Sequence, residues 1–538
     1  MNKNMNRHLL ITALTAVLSA TMAAAAPYSP PPNDPFQPLI EDIDKNVAPA
    51  ITPLQTVTIK GNKGETTKTI AGGSEEVKDV KYFAPPDGAP LKNNVRIRHV
   101  TFKSAPVYKD GEYHDDTVVY AQIAMPANAV PGKKLPGLLV LHGGGYFAQN
   151  SSMYFRVAQW AAAGYVVVAC DLPGIASPEF ADAASGTWKS VPYGNITRFT
   201  VKPDIKASWL YTAEATALKA FALLKTQPEV DPSKIGIVGM SWGGYSTVMM
   251  CGLLGERVAA GFSEYGCGFY DEDSAFQMSL LPTTSAFMFK NNPAGFEQWK
   301  KDGIGTWLTY LDAGRRAGGI KAHFYLASPA NDHFFRPPAV VKTVQAITNA
   351  ASLNFQFSPN SQPDPKDTNP AHDIGYYCIK SSHNILTPGG NVVPPTFSQP
   401  AVGRGWCPIE AVYFDYLLKG IGAPLSSIKL AGNPKPDAQK NLEINFAVTA
   451  DPAVKLETPK LYYSVHTGND TWEKRNWISL DAPIKDTGTN GKTHSYSVTL
   501  PAAIVGQNVD WYVLVSDTRG AWATTVSTPV YNTAQSPQ

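Results

Sequence analysis

Between positions 95 and 424, short apolar runs alternate with longer amphipathic segments. The short runs predict strands at 95–102, 117–124, 138–141, 165–169, 235–238, 259–262, 323–326 and 353–357. The longer segments have the spacing of helices at 154–163, 212–225, 245–254, 339–349 and 408–419. Strands that alternate with helices of about 10–15 residues favour a doubly wound, mostly parallel α/β sheet covered on both faces.

The spacing changes after position 424. Apolar residues take every second position from Leu442 to Val448, and comparable runs follow at 460–466, 474–480, 494–500 and 509–515. Turn residues such as Asn490-Gly491 separate these runs. Several short strands at this spacing predict a small β-sandwich of the immunoglobulin or fibronectin type over 425–538.

Three other segments complete the predicted domain organisation. Residues 27–50 are rich in proline and are expected to run over the surface. We treat 26–94 as an N-terminal extension with one strand-like run, Thr56–Lys60. Residues 266–318 interrupt the alternation inside the α/β domain, 95–424, and are interpreted as a lid insertion.

The chain begins with the features of an export signal. Lys3 and Arg7 precede an apolar stretch, Leu9–Ala26. The pattern formed by Ala23 and Ala25 favours cleavage after residue 25, with an uncleaved anchor helix as the alternative. We therefore expect a periplasmic or secreted protein that has no membrane span once the signal is removed.

Composition excludes some partners. The 538 residues are 43% hydrophobic and 17% charged, and the net charge is only +2. Neither nucleic acid nor an anionic membrane surface is indicated. An exported chain with five cysteines is permitted disulfides, and we pair Cys378 with Cys407 first. The cysteine spacing does not resemble a zinc site.

The strongest chemical motif lies at the end of the predicted strand 235–238. It reads Gly-Met-Ser-Trp-Gly from Gly239 to Gly243 and is followed by a helix-compatible run. A serine hydroxyl needs a base before it becomes a nucleophile, and a sharp strand-to-helix turn presents it to one. Ser241 is therefore the predicted nucleophile.

A glycine-rich loop, HGGGY at 142–146, follows another predicted strand. Backbone N–H groups in such a loop suit an oxyanion hole, because no Cβ blocks close approach. We expect the N–H groups of Gly144, Gly145 and Trp242 to serve as donors. His142 is expected to brace the loop, and its use as the base is a less favoured alternative.

The acid and the base are predicted to follow the serine along the chain. Asp332, in SPANDHFF, lies just past the strand 323–326 and is the candidate acid. Two histidines follow the last strand of the sheet, His372 in NPAHDI and His383 in SSHNIL. We favour His372, because it needs less loop to return to the serine, and His383 stays open.

Aromatic residues near the motifs suggest the surroundings of the substrate. Tyr146, Phe147 and Tyr265 are predicted to line an apolar pocket for an acyl or aryl group. The C-terminal tryptophans are interpreted as core in preference to a polymer-binding face, namely Trp472, Trp477, Trp511 and Trp522.

With these motifs in place, the chain resembles the α/β-hydrolase superfamily over roughly 95–424. HGGGY, GMSWGGY and NDHFF are most similar to the branch that contains dienelactone hydrolases, acetyl xylan esterases and prolyl oligopeptidase-like acylaminoacyl-peptidases. The resemblance implies an eight-stranded sheet, a Ser–Asp–His triad, and neither a metal nor another cofactor. The chain departs from the pattern in its expanded histidine loop and its C-terminal β-sandwich.

The predicted function is that of an exported serine hydrolase that cleaves a small-molecule or polymer-borne carboxylic ester through an acyl-enzyme. A serine peptidase of the prolyl oligopeptidase-like type is the alternative, with an acidic cluster that begins at Asp271 as a candidate site for a substrate amine. A non-catalytic binding scaffold is a third hypothesis. The oligomeric state is not predicted.

Overall fold

The computed structural model describes residues 28–60, 67–83, 90–144, 147–175, 200–270, 301, 303–330, 332, 335–359, 386–387, 390–391, 408–466, 475–526 and 528–530. The predicted signal peptide lies outside these residues. The strands of the described chain that precede the C-terminal domain are β1 Ile51–Pro53, β2 Thr56–Ile59, β3 Lys68–Ala71, β4 Ser74–Phe83, β5 Pro90–Lys103, β6 Val107–Lys109, β7 Glu112–His114, β8 Val118–Pro126, β9 Leu135–Leu141, β10 Val166–Cys170, β11 Val230–Met240, β12 Ala260–Glu264, β13 His323–Pro329, β14 Ser352–Ser358, β15 Leu386–Thr387 and β16 Gly390–Asn391.

The C-terminal domain contributes β17 Ser427–Leu430, β18 Leu442–Thr449, β19 Lys460–His466, β20 Ile478–Ser479, β21 Lys485–Asn490, β22 Thr493–Leu500, β23 Asn508–Ser516, β24 Trp522–Thr524 and β25 Thr528–Val530. The helices are α1 Gln37–Asp44, α2 Ser151–Ala162, α3 Trp209–Lys225, α4 Trp242–Leu254, α5 Ile304–Leu311, α6 Ala313–Arg316, α7 Pro337–Ala346, α8 Pro408–Phe414 and α9 Ala502–Val505. A π-helical segment, Asp415–Lys419, continues α8.

A ten-stranded sheet forms the centre of the molecule, in the order β1-β5-β8-β10-β9-β11-β12-β13-β14, with β4 also paired to β5. β8 runs antiparallel to both of its neighbours, whereas the strands from β10 to β14 are parallel. The predicted α/β architecture is confirmed. Because the carboxyl ends of parallel strands meet at one edge, the segments that follow β9, β11 and β13 are brought together there.

The N-terminal segment is more integrated than its composition suggested. Residues 27–50 were expected to run over the surface. Between Phe36 and Ile43 the chain does so with one face only, because Phe36, Ile40 and Ile43 are buried, whereas Gln37, Pro38, Glu41 and Asp42 are exposed. Pro38 lies in the first turn of α1, where its missing N–H breaks no helical bond. The predicted run at Thr56 is a strand, but it pairs with β3 in a separate hairpin.

The N-terminal segment also enlarges the sheet. β1 and β4 both pair antiparallel with β5. Removing these two strands from the ten leaves the eight that the resemblance implied. A strand of three residues, such as β1, is too short to show a periodic pattern from which it could be predicted.

The C-terminal domain contains two antiparallel sheets, β17-β18-β22-β21 and β20-β19-β23-β24, with β25 paired to β23. Their facing side chains enclose an apolar core that includes Ile444, Phe446 and Trp511. This arrangement is consistent with the predicted β-sandwich. Trp511 and Trp477 are buried and Trp522 is half-buried, which favours the core interpretation, whereas Trp472 lies outside the described residues.

Candidate active site

Ser241 occupies the turn between β11 and α4. Its backbone has φ 57° and ψ −118°, a conformation that non-glycine residues rarely adopt. Two hydrogen bonds hold this turn: the N–H of Ser241 donates to the carbonyl of Glu264 at 2.9 Å, and the N–H of Tyr245 donates to the carbonyl of Ser241 at 2.9 Å. Strain of this kind, on the order of 1–3 kcal/mol, is characteristic of functional turns.

The glycines on either side of Ser241 allow the close backbone approach that the motif predicts. A Cβ on Gly239 would lie 2.3 Å from the carbonyl oxygen of Gly243. A Cβ on Gly243 would lie 2.3 Å from the carbonyl oxygen of Leu141, at the end of β9. Any larger residue at either position would force the turn apart and displace the serine.

The glycine-rich loop lies directly beside the serine. β9 and β11 are parallel neighbours, with Gly239 opposite Leu141, so the segments that follow both strands are adjacent. A Cβ on Gly143 would lie 3.3 Å from the Cβ of Ser241. Of the predicted donors, Gly144 follows in this loop and Trp242 is the first residue of α4, whereas Gly145 lies outside the described residues.

His142 braces this loop, as expected. Its Nδ1 contacts the carbonyl of Gly143 at 2.9 Å, and its Nε2 accepts the backbone N–H of Leu172 at 3.0 Å. The ring is fully buried, and burial lowers the pKa of His142 to about 4, although the bond to Gly143 opposes this shift. Both ring nitrogens are thus engaged by backbone groups, an arrangement that favours a structural role.

A second anchor for the loop was not found in the sequence. The buried carboxylate of Asp171 accepts the backbone N–H of Ala148 at 2.6 Å. Asp171 and Leu172 follow β10 directly, so this short segment holds both ends of the loop after β9. The sequence Asp-Leu-Pro-Gly, from Asp171 to Gly174, follows this strand, but the local sequence does not show which loop it contacts.

Asp332 lies on the loop between β13 and α7 and is fully buried. Its Oδ1 accepts the backbone N–H of Phe335 at 3.2 Å. The ring of Phe335 packs edge-on against that of Trp242, with centroids 6.1 Å apart, so the loop of Asp332 contacts α4, the helix that begins after Ser241. The two candidate bases, His372 and His383, lie outside the described residues.

The residues predicted to line the substrate pocket fall in different environments. Phe147 is 4% exposed and belongs to the apolar core on the side of the sheet that carries α3 and α4. Tyr265 is buried next to the serine turn, with φ 46°, and its N–H donates to the carbonyl of Ala327 at 2.6 Å. Tyr146 lies outside the described residues.

A buried cluster of charges connects three elements around the site. One Nη of Arg156, on α2, donates to both carboxylate oxygens of Glu410, on α8, at 2.9 Å. The carboxyl of Glu264, at the end of β12, lies 3.8 Å from the same Nη. Burial raises the pKa of Glu264, the carboxylate of Glu410 raises it further, and Arg156 opposes both effects.

Another buried carboxyl contacts α4, the helix that begins after Ser241. Glu214, on α3, is fully buried and accepts the hydroxyl of Ser246, on α4, at 2.5 Å. Burial raises the pKa of Glu214 to about 8, and the bond from Ser246 opposes this shift. Glu214 therefore carries a proton at neutral pH.

Within the described ranges, no group of three or more His, Cys, Asp and Glu side chains is placed to hold a metal ion. Cys170, Cys251 and Cys267 are buried free thiols, whereas the predicted pair, Cys378 and Cys407, lies outside the described residues. Among the helices in the described part of the chain, none combines the length and the apolar character of a bilayer-spanning segment.

The chain is similar in sequence to a family of esterases and to a peptidase. Residues 90–352, slightly less than half of the chain, match the family model of acetyl xylan esterase (AXE1). Dipeptidyl-peptidase 5 of Porphyromonas gingivalis is 26% identical over 194 residues, which are 35% of this chain and 24% of that protein. The chain thus matches about a quarter of the length of this relative.

Solved structures with a similar chain course include two esterases. Acetyl xylan esterase 1 from Thermoanaerobacterium sp. is 17% identical, with a TM-score of 0.41, over 63% of this chain and 97% of that one. An acetyl xylan esterase from Paenibacillus sp. R4 is 16% identical, with a TM-score of 0.41, over 63% of this chain and 90% of that one.

Proposed function

We propose that this chain, a member of the α/β-hydrolase superfamily, is an exported serine esterase that cleaves a carboxylic ester through an acyl-enzyme. The observation that carries the proposal is the strained turn at Ser241, placed against the backbone of Gly143. A serine held this way, beside a glycine-rich loop at the edge of a parallel sheet, is presented to a substrate carbonyl.

In the proposed reaction, the Oγ of Ser241 attacks the carbonyl carbon while a histidine accepts the hydroxyl proton. The oxyanion that forms is stabilised by backbone N–H groups of Trp242, Gly144 and Gly145. The histidine then protonates the leaving alcohol, and a water molecule, activated by the same histidine, hydrolyses the acyl-enzyme. His372 is the proposed base, with His383 as the alternative.

Asp332 is the proposed third member of the triad. A buried carboxylate beside the imidazole orients the ring and stabilises the imidazolium. Its full burial and its hydrogen bond from the N–H of Phe335 support this role, because both restrict the side chain to one orientation. The proposed substrates are small-molecule or polymer-borne esters, and the match to the acetyl xylan esterase family supports a short acyl group such as acetyl.

A serine peptidase is the second candidate. The similarity to dipeptidyl-peptidase 5 favours it, over 194 residues at 26% identity. The two candidates share the same nucleophile and differ in the leaving group, an alcohol in one and an amine in the other. Because the catalytic residues are common to both, the esterase and the peptidase can be distinguished only by the substrates that the protein cleaves.

The test is a panel of p-nitrophenyl esters of increasing acyl length beside aminoacyl and dipeptidyl p-nitroanilides. The proposal expects turnover of the esters, best for short acyl groups, and none of the anilides. Labelling of the purified protein by a fluorophosphonate, absent in Ser241→Ala, establishes the nucleophile. Turnover confined to the anilides would favour the peptidase, and an unlabelled wild-type protein would contradict hydrolysis altogether.

A further inference from the structure

The loop that carries Asp332 begins at Ala330, and the C-terminal sandwich contacts it there. The indole Nε1–H of Trp477 donates to the carbonyl of Ala330 at 3.0 Å, in a buried position. The N–H of Ala330 donates to the carbonyl of Ser358, on β14, at 3.0 Å. One side of Ala330 is thus held by the hydrolase sheet and the other by the sandwich, two residues before the proposed acid.

Trp477 is itself held within the sandwich. Its ring packs on that of Tyr512, with centroids 4.9 Å apart. Arg475, two residues earlier, forms an ion pair with the buried carboxylate of Asp510 at 3.4 Å. Trp477 is 5% exposed and shares an apolar core with the helices of the hydrolase domain. Its N–H is therefore presented to the acid loop from a position with little freedom.

Further contacts join the sandwich to β14, the last strand of the sheet. The ring of Tyr512 packs against that of Phe357, with centroids 5.6 Å apart. The hydroxyl of Thr524, on β24, accepts the N–H of Phe357 at 2.8 Å. The hydroxyl of Tyr325, on β13, donates to the carbonyl of Trp522 at 2.7 Å. The sandwich thus packs on β14, the edge strand of the sheet, beside β13, from which the loop of Asp332 leaves.

We propose that the C-terminal sandwich positions the catalytic acid, and that Trp477 is the positioning residue through which it acts. The inference rests on the proposed function, because it takes Asp332 as the acid of the triad. A displacement of about 1 Å at a catalytic group costs up to about 100-fold in rate, so a fixed starting point for this loop affects catalysis directly.

The experiment compares two substitutions that remove the same atoms at two buried tryptophans. Trp477→Phe removes the N–H that Ala330 accepts and keeps an aromatic ring. Trp511→Phe removes an indole N–H that has no hydrogen-bond partner among the described residues, from the core of the same domain. Both variants lose the same side-chain volume, and Trp477→Phe also loses a buried hydrogen bond, so its thermal unfolding midpoint should fall further than that of Trp511→Phe.

We expect Trp477→Phe to lower kcat about 10-fold, with KM within about 2-fold of wild type. Trp511→Phe should keep wild-type kcat. A carboxylate beside an imidazole raises the pKa of the imidazole, so a loosened Asp332 should move the acidic limb of the kcat/KM profile to lower pH in Trp477→Phe only. A purely structural effect on the sandwich would not produce that shift.

Equal kcat and identical pH profiles in the two variants would overturn the inference. If Trp477→Phe does not fold, the benzothiophene analogue of tryptophan at position 477 keeps the ring shape without the N–H, and the same outcomes apply. Asp332→Asn separates this inference from the proposed function. An Asp332→Asn protein with wild-type activity refutes the acid assignment, whereas a dead one beside an unaffected Trp477→Phe refutes only the role of the sandwich.

Discussion

The Nε2 of His142 accepts the backbone N–H of Leu172 at 3.0 Å, and this bond joins the loop after β9 to the loop after β10. The other ring nitrogen of His142, Nδ1, contacts the carbonyl of Gly143, one residue before Gly144, the first predicted oxyanion donor. Both ring nitrogens of this histidine, in the HGGGY motif, contact backbone groups, which favours a structural role over that of a base. The Nε2 can accept the N–H of Leu172 only while the ring is neutral, and the lowered pKa of His142 keeps it neutral at neutral pH.

Replacement of His142 should weaken oxyanion stabilisation without removing the nucleophile. We expect His142→Ala to lower kcat about 10–100-fold, because loop donors lose their alignment. Fluorophosphonate labelling should persist at a reduced rate. The control is His323→Ala, which removes a histidine that is hydrogen-bonded to Ser352. His323 begins β13, at the end of the strand away from the loop of Asp332. Labelling lost as completely as in Ser241→Ala would instead indicate that His142 is the base.

Glu214 should make the stability of the protein fall as the pH rises. Its pKa is about 8 when folded and about 4.5 when exposed, so the folded state binds the extra proton between these values. Its contribution is fully present below about pH 4.5 and is lost as the pH rises through 8. Glu214→Gln should remove this dependence, on the order of 3–5 kcal/mol, from the free energy of unfolding.

Chemical denaturation between pH 5 and 8.5 measures the effect, with Glu443→Gln, an exposed position on β18, as the control. The control should keep the slope of the wild-type protein. A Glu214→Gln protein with the wild-type slope would contradict a protonated Glu214.

The buried ion pair between Arg156 and Glu410 should contribute more to the free energy of unfolding than an exposed pair of the same kind. We expect Glu410→Gln to lower the free energy of unfolding by about 3 kcal/mol, because a neutral amide no longer balances the charge of the buried Arg156 guanidinium. Asp44→Asn breaks a pair with Arg257 that is partly exposed and should cost less than about 1 kcal/mol. Denaturant titration of both variants tests the difference, and equal losses would contradict it.

Kinetic measurements on two variants should show which histidine, His372 or His383, is the base. His372→Ala should lower kcat at least about 10⁴-fold, whereas His383→Ala should retain activity within about 10-fold of wild type. Both variants are compared by ester turnover at saturating substrate and by the unfolding midpoint. A dead His383→Ala beside an active His372→Ala would reverse the assignment.

Local pattern was sufficient for the central sheet and for the strand-to-helix turn at Ser241. The runs from 138 to 141 and from 235 to 238 are strands because they are apolar on both faces, and such a run is stable only when buried between helices. The position of Ser241 followed from the glycines around it, since the turn requires them regardless of what surrounds it.

Contacts between residues far apart in the chain could not be predicted from the local sequence pattern. The burial of Phe36 depends on a pocket formed by residues far along the chain, such as Tyr211, whose ring lies 4.9 Å away. The roles of Asp171 and Trp477 depend equally on backbone groups in other loops. Nothing in the local sequence of these residues indicates their partners.

The sequence by itself determined the alternation of strands and helices, the β-sandwich and the serine turn, because each rests on contacts between residues that are near one another in the chain. Only the tertiary structure decided that the N-terminal segment joins the sheet, that His142 binds two backbone groups, and that Trp477 reaches the loop of Asp332. These contacts form between segments that meet only when the sheet has assembled, so their geometry has no trace in local periodicity.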